Sequence, residues 1–253
     1  AGSVPKLFGR EAKLNGFVME YIDGQNAYLW KTALLERPSR SGDASLVGDA
    51  LGRIHGASST SAFDRAPFQN QSDFNQLRLD PYFRSMMSRH PDLARPLQKR
   101  IDSLSRHEFV LLHGDVSPKN ILFRDGKPIL LDAECATMGD PAFDVTFCIN
   151  HLVLKAFHIP RHAEELLAEA SDLWSTYAPH CSWEDVEKLE VRVCELLPAL
   201  MLARVDGKSP VEYLEGSTRN VVRKHAREQL ADSTSNIPEL LSVVRETTRR
   251  GVS

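Results

Sequence analysis

The chain has 253 residues, of which 42% are apolar and 26% charged, and its formal net charge is −3. Such a composition can bury one sizeable core, and the small net charge gives no electrostatic reason to expect nucleic acid or an anionic membrane as a partner. The four cysteines are scattered without a Cys-x-x-Cys pair, which argues against a zinc site or a disulfide framework and fits a reducing cytoplasm; no apolar run is long enough for a membrane span.

The first predicted element is a strand from Phe17 to Ile22. It is rich in apolar and β-branched residues and ends at Asp23-Gly24, a pair typical of turns. Its local sequence fits a plain core strand as well as a functional segment.

Mostly helical structure is predicted from Asn26 to the middle of the chain. The predicted elements are a short helix from Asn26 to Leu35, an amphipathic helix from Asp43 to Ser58, a surface loop from Ser58 to Gln76, and helices over Leu79–Met87 and Pro91–Ser105. His55 near a helix end is expected to be a buried or capping residue. Four arginines are expected on a solvated face, namely Arg84, Arg89, Arg95 and Arg100.

A strand followed by a hairpin is predicted in the centre of the chain. The apolar run Phe109–Leu112 leads into His113-Gly114-Asp115, and Asn120 follows five residues after Asp115. Ile121–Phe123, a turn at Asp125-Gly126 and a second apolar run then form a hairpin that ends on Asp132.

The polar residues around this hairpin predict phosphoryl transfer. Asn120 and Asp132, with Glu134 two residues on, offer the hard oxygen atoms that Mg²⁺ prefers alongside substrate phosphates. Asp115 lies one short loop away, where its carboxylate can accept a hydrogen bond from a hydroxyl nucleophile. The same residues could merely cap and turn a hairpin, but that explanation does not account for their fixed order.

The motif H-G-D-x-x-x-x-N over 113–120, the strand into Asp132 and G-D-P-x-x-D over 139–144 resemble the catalytic core of the aminoglycoside phosphotransferase family, a relative of protein kinases. The resemblance implies an α+β, protein-kinase-like fold in which Asp115 is the catalytic carboxylate and Asn120 and Asp132 hold Mg²⁺. It also implies that Asp144 braces the catalytic loop from within.

Two single positions, Glu134 and Gly114, can be compared with particular branches of this family and with protein kinases. An acidic residue two positions after the metal-binding aspartate is similar to the choline kinase and methylthioribose kinase branches, where it can join the metal shell. Glu134 reaches the metal only if the backbone turns after Asp132, because alternate residues of an extended segment point to opposite faces. Gly114 replaces the arginine of protein kinases, which favours a small-molecule acceptor.

The resemblance also assigns nucleotide contacts. The segment 17–24 would be the hinge between two lobes, with the Glu20 carbonyl and the Ile22 amide pairing with adenine and Met19 beside the base. Ser117 stands where many relatives carry a cation that reaches the γ-phosphate, and Lys119 could replace that cation or simply face solvent.

An N-terminal lobe is expected to be largely absent, because no Gly-rich phosphate loop and no strand lysine with a helix glutamate partner precede the hinge. The predicted organisation is therefore residues 1–24 as the end of that lobe with the hinge strand, and residues 25–253 as a predominantly helical C-terminal catalytic lobe. By this interpretation the chain alone binds nucleotide weakly and turns over poorly.

The rest of the chain is predicted to be helical and to supply the acceptor site. Helices are expected over 142–157, 161–177, 183–205, 218–230 and 237–249, with Pro198 as a candidate kink in the third. Arg204 and Lys208 could meet an anionic acceptor or only cap a helix end. Acidic residues could instead meet a cationic acceptor or be solvated: Glu184, Asp185, Glu187, Glu190 and Glu195.

The function predicted from these observations is transfer of the γ-phosphate of ATP to a hydroxyl of a small molecule, of aminoglycoside, sugar or amino-alcohol type, with Mg²⁺. GTP is not distinguished from ATP as the nucleotide. The alternative is a non-catalytic, kinase-like binding or regulatory protein. A metal-dependent phosphohydrolase fits less well, because its metal clusters need more histidine and carboxylate ligands than this region has.

Overall fold

The computed structural model of the protein describes residues 2–36 and 42–250. The strands are β1 (Leu7–Glu11), β2 (Gly16–Met19), β3 (Ala27–Leu29), β4 (Val110–Leu112), β5 (Ile121–Arg124), β6 (Lys127–Leu130) and β7 (Thr137–Gly139). The helices are α1 (Trp30–Glu36), α2 (Asp43–Ser58), α3 (Gln71–Phe74), α4 (Ser85–Arg89), α5 (Ala94–Leu104), α6 (Ala142–His158), α7 (Ala163–Tyr177), α8 (Val186–Asp206), α9 (Gly216–Ala231) and α10 (Ile237–Arg250). A π-helical segment (Asn75–Arg84) joins α3 to α4.

Among the described residues the strands form three small antiparallel sheets. β1 pairs with β2, β5 lies between β3 and β6, and β4 pairs with β7. The β5–β6 hairpin confirms the predicted turn: Asp125 and Gly126 have φ angles of 52° and 72°, the left-handed conformation that tight hairpin turns require. Ile121 and Phe123 alternate inward along β5, so this hairpin is anchored in the core.

The N-terminal hairpin differs from the predicted strand. β2 ends at Met19 rather than at Ile22, after which the Glu20 N–H donates to the Lys6 carbonyl at 2.8 Å. Most of its apolar side chains are exposed, with Phe17 and Val18 each at 64%. Within the described chain this segment is therefore not a core strand.

The predicted helix from Asn26 to Leu35 is wrong in its first half, because β3 precedes α1 there. The Asn26 side chain donates to Asp125 at 3.2 Å across the hairpin turn instead of capping a helix. Tyr28 of β3 stacks on Phe123 of β5 with ring centroids 5.2 Å apart, and this cross-strand contact explains why the segment is extended.

Helix α2 has the predicted bounds, whereas the region after it differs. The predicted loop over 58–76 is wrong at its end, because the helical run begins at Gln71. Arg84, Arg89 and Arg95 are exposed as predicted. Arg100 is only 5% exposed and its Nε donates to the Glu195 carbonyl at 2.9 Å, so its predicted solvation is wrong.

Helix α6 is the centre of the core. Its residues from Ala142 to Phe157 are all buried, as expected for a helix surrounded by others. It packs against α7 and α8, while α2 packs against α7, where a side chain at Gly48 would collide with the Leu173 backbone. The remaining helices lie within a few residues of their predicted bounds, and α8 runs through Pro198 without a break.

All four cysteines lie in the described part of the chain and are unpaired. In that same part, no helix combines the length and the apolar character needed to cross a membrane.

Candidate active site

The loop after β4 is held by a carboxylate at the start of α6. Asp144 Oδ2 accepts the backbone N–H of His113 at 2.7 Å, and Oδ1 accepts that of Gly114 at 2.9 Å. Asp144 lies in the first turn of its helix, where the helix dipole favours a negative charge. The hydrogen bonds are those of a residue that braces the loop from within.

Asp144 is itself part of a buried network. Its Oδ2 lies 3.4 Å from His55 Nε2, and His55 Nδ1 lies 2.8 Å from the Tyr177 hydroxyl. Burial alone raises the pKa of the Asp144 carboxyl, but the hydrogen bond and charge of His55, together with His113, outweigh it and hold this pKa below its usual value of 3.8. His55 is completely buried, so it braces Asp144 rather than facing a substrate.

Gly114 is required by the shape of the loop. Its φ is +80°, and a Cβ there would lie 2.8 Å from Cys135 Cβ and 3.1 Å from the Cys135 carbonyl oxygen. An arginine at this position, as in protein kinases, would have to adopt a strained backbone and displace the Cys135 turn.

The two oxygens of the Asp115 carboxylate have different surroundings. Oδ2 lies 3.2 Å from Arg78 Nη2 and 3.2 Å from Lys119 Nζ. Oδ1 is buried and has no hydrogen-bond partner in the described part of the chain. A buried carboxylate oxygen left without a donor is an unsatisfied acceptor, and a hydroxyl group bound next to it would supply the missing hydrogen bond.

Arg78 is the residue of this site that the sequence did not predict. Its Nε donates to the Gly114 carbonyl, and its Nη1 donates to the Leu77 carbonyl at 2.9 Å. It lies in the π-helical segment, which contains Pro81, and such widened helical turns are frequent at functional sites. A lone arginine between two leucines gives no local signal of this role, since only the tertiary fold brings it to Asp115.

Asn120 and Asp132 occupy neighbouring positions at the open end of the hairpin. Asn120 Nδ2 donates to the Asp115 carbonyl at 3.2 Å, which leaves its Oδ1 as the atom able to bind a metal. The Leu131 N–H donates to the Asn120 carbonyl at 2.8 Å, so Asp132 directly follows a residue paired with Asn120. Asp132 has a φ of 66°, a conformation that aspartate tolerates better than most residues.

The backbone turns immediately after Asp132, as Glu134 would require to approach a metal. The Ala136 N–H donates to the Ala133 carbonyl at 3.1 Å and closes a turn that contains Glu134. Asp132 and Glu134 are exposed, and neither carboxylate has a hydrogen bond or ion pair within the described residues. Free carboxylates beside an amide oxygen fit a hard divalent cation. The described chain has no group of three or more His, Cys, Asp or Glu placed to hold a metal ion by themselves.

The predicted hinge residues are Met19, the last residue of β2, and Glu20 and Ile22 on the segment after it. The Glu20 carboxylate pairs with Arg124 of β5 at 2.7 Å, which fixes this segment to the β5–β6 hairpin. The Glu20 carbonyl and the Ile22 N–H make no hydrogen bonds with the described chain, and the Met19 side chain is 49% exposed. These backbone groups are therefore free for an external partner.

Ser117 and Lys119 differ in accessibility. Ser117 is 1% exposed and its hydroxyl is buried without a hydrogen-bond partner among the described residues. The Lys119 side chain is 56% exposed, and its ammonium reaches Asp115 Oδ2. Of the two, Lys119 has its ammonium at the Asp115 carboxylate rather than only in solvent.

Residues 1–182 match the family model described as APH, phosphotransferase enzyme family. The chain belongs to this phosphotransferase family. No curated protein sequence matches it closely enough to count as a relative.

Solved structures share the fold of this phosphotransferase family member at low sequence identity. Amicoumacin kinase hAmiN, solved with AMP-PNP, Ca²⁺ and Ami, superposes with a TM-score of 0.55 and 14% identity over 94% of this chain and 76% of its own. A choline/ethanolamine kinase family protein from Mesorhizobium loti superposes with a TM-score of 0.52 and 17% identity, over 97% of this chain and 80% of its own. Choline kinase LicA from Streptococcus pneumoniae superposes with a TM-score of 0.50 and 14% identity, over 99% of this chain and 75% of its own. The predicted α+β, kinase-like fold is thus confirmed.

Proposed function

We propose that this chain is an ATP-dependent phosphotransferase that moves the γ-phosphoryl group to a hydroxyl of a small molecule, with Asp115 as the catalytic carboxylate. The observation that carries the proposal is the buried Oδ1 of Asp115, which has no partner among the described residues while Oδ2 is held by two cations. Membership of the phosphotransferase family and likeness to structures described as choline and amicoumacin kinases support a small-molecule acceptor.

Asp115 Oδ1 would accept the hydrogen bond of the acceptor hydroxyl and take its proton as the oxygen–phosphorus bond forms and the bond to ADP breaks. Arg78 and Lys119 hold the other oxygen, so the carboxylate keeps one orientation during the reaction. Positioning of this kind is the main protein contribution to phosphoryl transfer.

Asn120, Asp132 and Glu134 would together hold Mg²⁺, which when bound neutralises charge on the nucleotide phosphates. The two carboxylates and the Asn120 Oδ1 are hard oxygen ligands at one end of the catalytic hairpin. The turn after Asp132 supports a contribution from Glu134.

The nucleotide base would lie against the segment after β2. The Glu20 carbonyl and the Ile22 N–H, both without partners in the described chain, would pair with adenine beside Met19. Lys119 would supply the cation near the transferred group, and the buried Ser117 would contribute through the loop backbone. These backbone contacts do not discriminate strictly between ATP and GTP.

The proposal is tested by transfer of radiolabel from ATP to pooled sugars, amino alcohols and aminoglycosides. Asp115→Asn removes the proton acceptor, and we expect it to lower turnover by about 10²- to 10⁴-fold while ATP affinity stays within about threefold. Asp172→Asn, the same change at an exposed position of α7, should match the unmodified protein.

Near-normal turnover of Asp115→Asn would remove Asp115 from the catalytic role. Tight ATP binding without transfer to any acceptor would favour the non-catalytic alternative.

A further inference from the structure

A small pocket adjoins the catalytic loop on the side of the C-terminal helices. Its cavity volume is about 40 Å³, which is room for one small polar group of a ligand rather than for a whole ligand. Its polar lining comes from Lys31 of α1, Lys119 of the loop, His151 and Lys155 of α6, Arg204 of α8, and Glu212 and Tyr213 beyond it.

The charge of this pocket is strongly unbalanced. Four cations, Lys31, Lys119, Lys155 and Arg204, face one carboxylate, that of Glu212. Glu212 already pairs with Lys31 at the mouth, and both side chains are partly exposed. Arg204 donates to the Tyr82 hydroxyl at 3.1 Å and to the Ser209 carbonyl but has no carboxylate partner in the described chain.

Lys155 is the most unusual of these cations. Its residue is 1% exposed, and within the described chain its ammonium has no acidic partner, only the His151 carbonyl at 3.5 Å and the face of Tyr213 with its centroid at 5.2 Å. Burial, with repulsion from Lys31, lowers the pKa of Lys155 to about 7. A buried lysine without a counter-ion costs free energy that a bound anion would recover.

Three further polar atoms of the lining are buried and have no hydrogen-bond partner among the described residues. They are His151 Nε2, Arg204 Nε and the Tyr213 hydroxyl. His151 is only 6% exposed, so water does not readily satisfy its ring. Arg204 Nε and the Tyr213 hydroxyl are donors, and His151 Nε2 donates in one neutral tautomer. Unsatisfied donors that converge with cations fit a ligand rich in acceptor oxygens.

Three of the five acidic residues that could have received a cationic acceptor have partners elsewhere. Glu184 pairs with Arg192 at 2.6 Å, and Glu190 accepts the Ile237 N–H at 2.8 Å. Glu195 lies 3.7 Å from both Lys99 and Arg100. Lys208, by contrast with Arg204, is exposed and does not line the pocket.

We propose that this pocket binds an anionic group of the acceptor, a phosphate monoester or a carboxylate, so that the substrate is a small anionic alcohol. This rests on the proposed function, because it treats the pocket as part of the acceptor site. Lys119 lines the pocket and also contacts Asp115 Oδ2 at 3.2 Å. The anionic group would thus be held beside the carboxylate that receives the hydroxyl proton.

The test uses four alcohols of similar size and different charge: glycerol 3-phosphate, glycerate, glycerol and choline. Binding is measured by calorimetry at pH 6.5, where Lys155 carries its proton, and ATP-dependent transfer to each is measured in parallel. We expect both or one of the two anions to bind at least about tenfold more tightly than glycerol, and choline no better than glycerol. If glycerol 3-phosphate binds more tightly than glycerate, the pocket recognises a phosphate. If glycerate binds more tightly, it recognises a carboxylate.

Lys155→Met keeps the length of the side chain and removes its charge. We expect it to weaken anion binding by about tenfold or more and to leave the ATP dissociation constant unchanged. Lys224→Met removes the same charge from an 80% exposed side chain on α9 and should change neither value.

The inference and the proposed function can fail separately. Anion binding that depends on Lys155, without transfer from ATP, supports the pocket and contradicts the phosphotransferase. Transfer to glycerol or choline with no preference for an anion contradicts the pocket and leaves the phosphotransferase. A rise in the ATP dissociation constant that parallels the loss of anion binding in Lys155→Met would show that the pocket serves the nucleotide, and would overturn the inference.

Discussion

Arg78 Nη2 lies 3.2 Å from Asp115 Oδ2, and each side chain is 9% exposed. The same guanidinium donates through Nε to the Gly114 carbonyl, so one side chain from a π-helical segment holds both the backbone and the Asp115 carboxylate of the loop after β4. A buried ion pair adds little net stability because its desolvation offsets its attraction. Its value here is the orientation of Asp115.

Replacing Arg78 should therefore affect catalysis more than nucleotide binding. In Arg78→Met the carboxylate keeps only Lys119 as a cation, and we expect kcat to fall by about 10- to 100-fold with little change in ATP affinity. Arg84→Met is the matched control, because Arg84 lies in the same helical run with a side chain 47% exposed. Equal kinetics of the two variants would show that Arg78 does not position Asp115.

Asp144→Asn should destabilise the fold. The amide has one acceptor oxygen where the carboxylate accepts two backbone N–H groups and faces His55, so a buried donor loses its partner at a cost of about 2–4 kcal/mol. Urea denaturation at pH 7 measures this loss, and Asp172→Asn on the surface of α7 should lose less than about 0.5 kcal/mol.

The same variant predicts a pH effect. Because the pKa of Asp144 is lowered in the folded protein, its contribution is present above the ordinary value of 3.8 and is lost as the pH falls through the lower, folded-state pKa. Asp144→Asn should therefore lose less stability than the unmodified protein on acidification below pH 4. Parallel acid unfolding curves would contradict this.

Lys155 predicts a stability change in the alkaline range. Its pKa is about 7 in the folded protein and 10.5 ordinarily, so between these values the unfolded chain binds the proton that the folded chain has released. The free energy of unfolding should then rise with pH from about 7 to about 10 by up to roughly 5 kcal/mol from this group.

Lys155→Met should be at least as stable at pH 7 and should lack this rise. The charged groups that face Lys155, namely Lys31, Arg204 and Glu212, are unchanged in the variant, as are His151 and Tyr213. The difference between the two proteins in urea denaturation at pH 7 and pH 9.5 therefore isolates Lys155. Identical pH slopes would mean that its ammonium is neutralised by another group.

Gly114→Ala separates steric crowding from backbone strain when compared with Gly126→Ala. Both positions have positive φ, but a Cβ at Gly126 meets nothing within 4 Å, whereas at Gly114 it lies 2.8 Å from Cys135 Cβ. We expect a loss of about 1 kcal/mol for Gly126→Ala and about 3 kcal/mol for Gly114→Ala, together with impaired turnover in the latter only. Similar losses of stability in the two variants would mean that the turn at Cys135 moves to accommodate the added Cβ at little cost.

The β5–β6 hairpin could be predicted because its signals are local. The spacing from Asp115 to Asn120, the Asp125-Gly126 turn and the apolar run into Asp132 each act within a few residues, and the structure has strands at these places. The bounds of α2 follow in the same way from apolar residues on one helical face. The strand after Gly16 and the helix after Asn26 were predicted less well, because pairing with β1 and β5 decides where they are extended.

The sequence by itself determined the family of this protein, the order of its candidate catalytic residues and most of its helices, since spacing and periodicity are properties of neighbouring residues. The tertiary structure alone decided that Arg78 reaches Asp115, that Arg100 is buried and that Lys31, Lys155 and Arg204 surround one pocket. These residues lie on separate helices and on the loop after β4, and no local sequence pattern predicts a contact that forms only when these elements pack together.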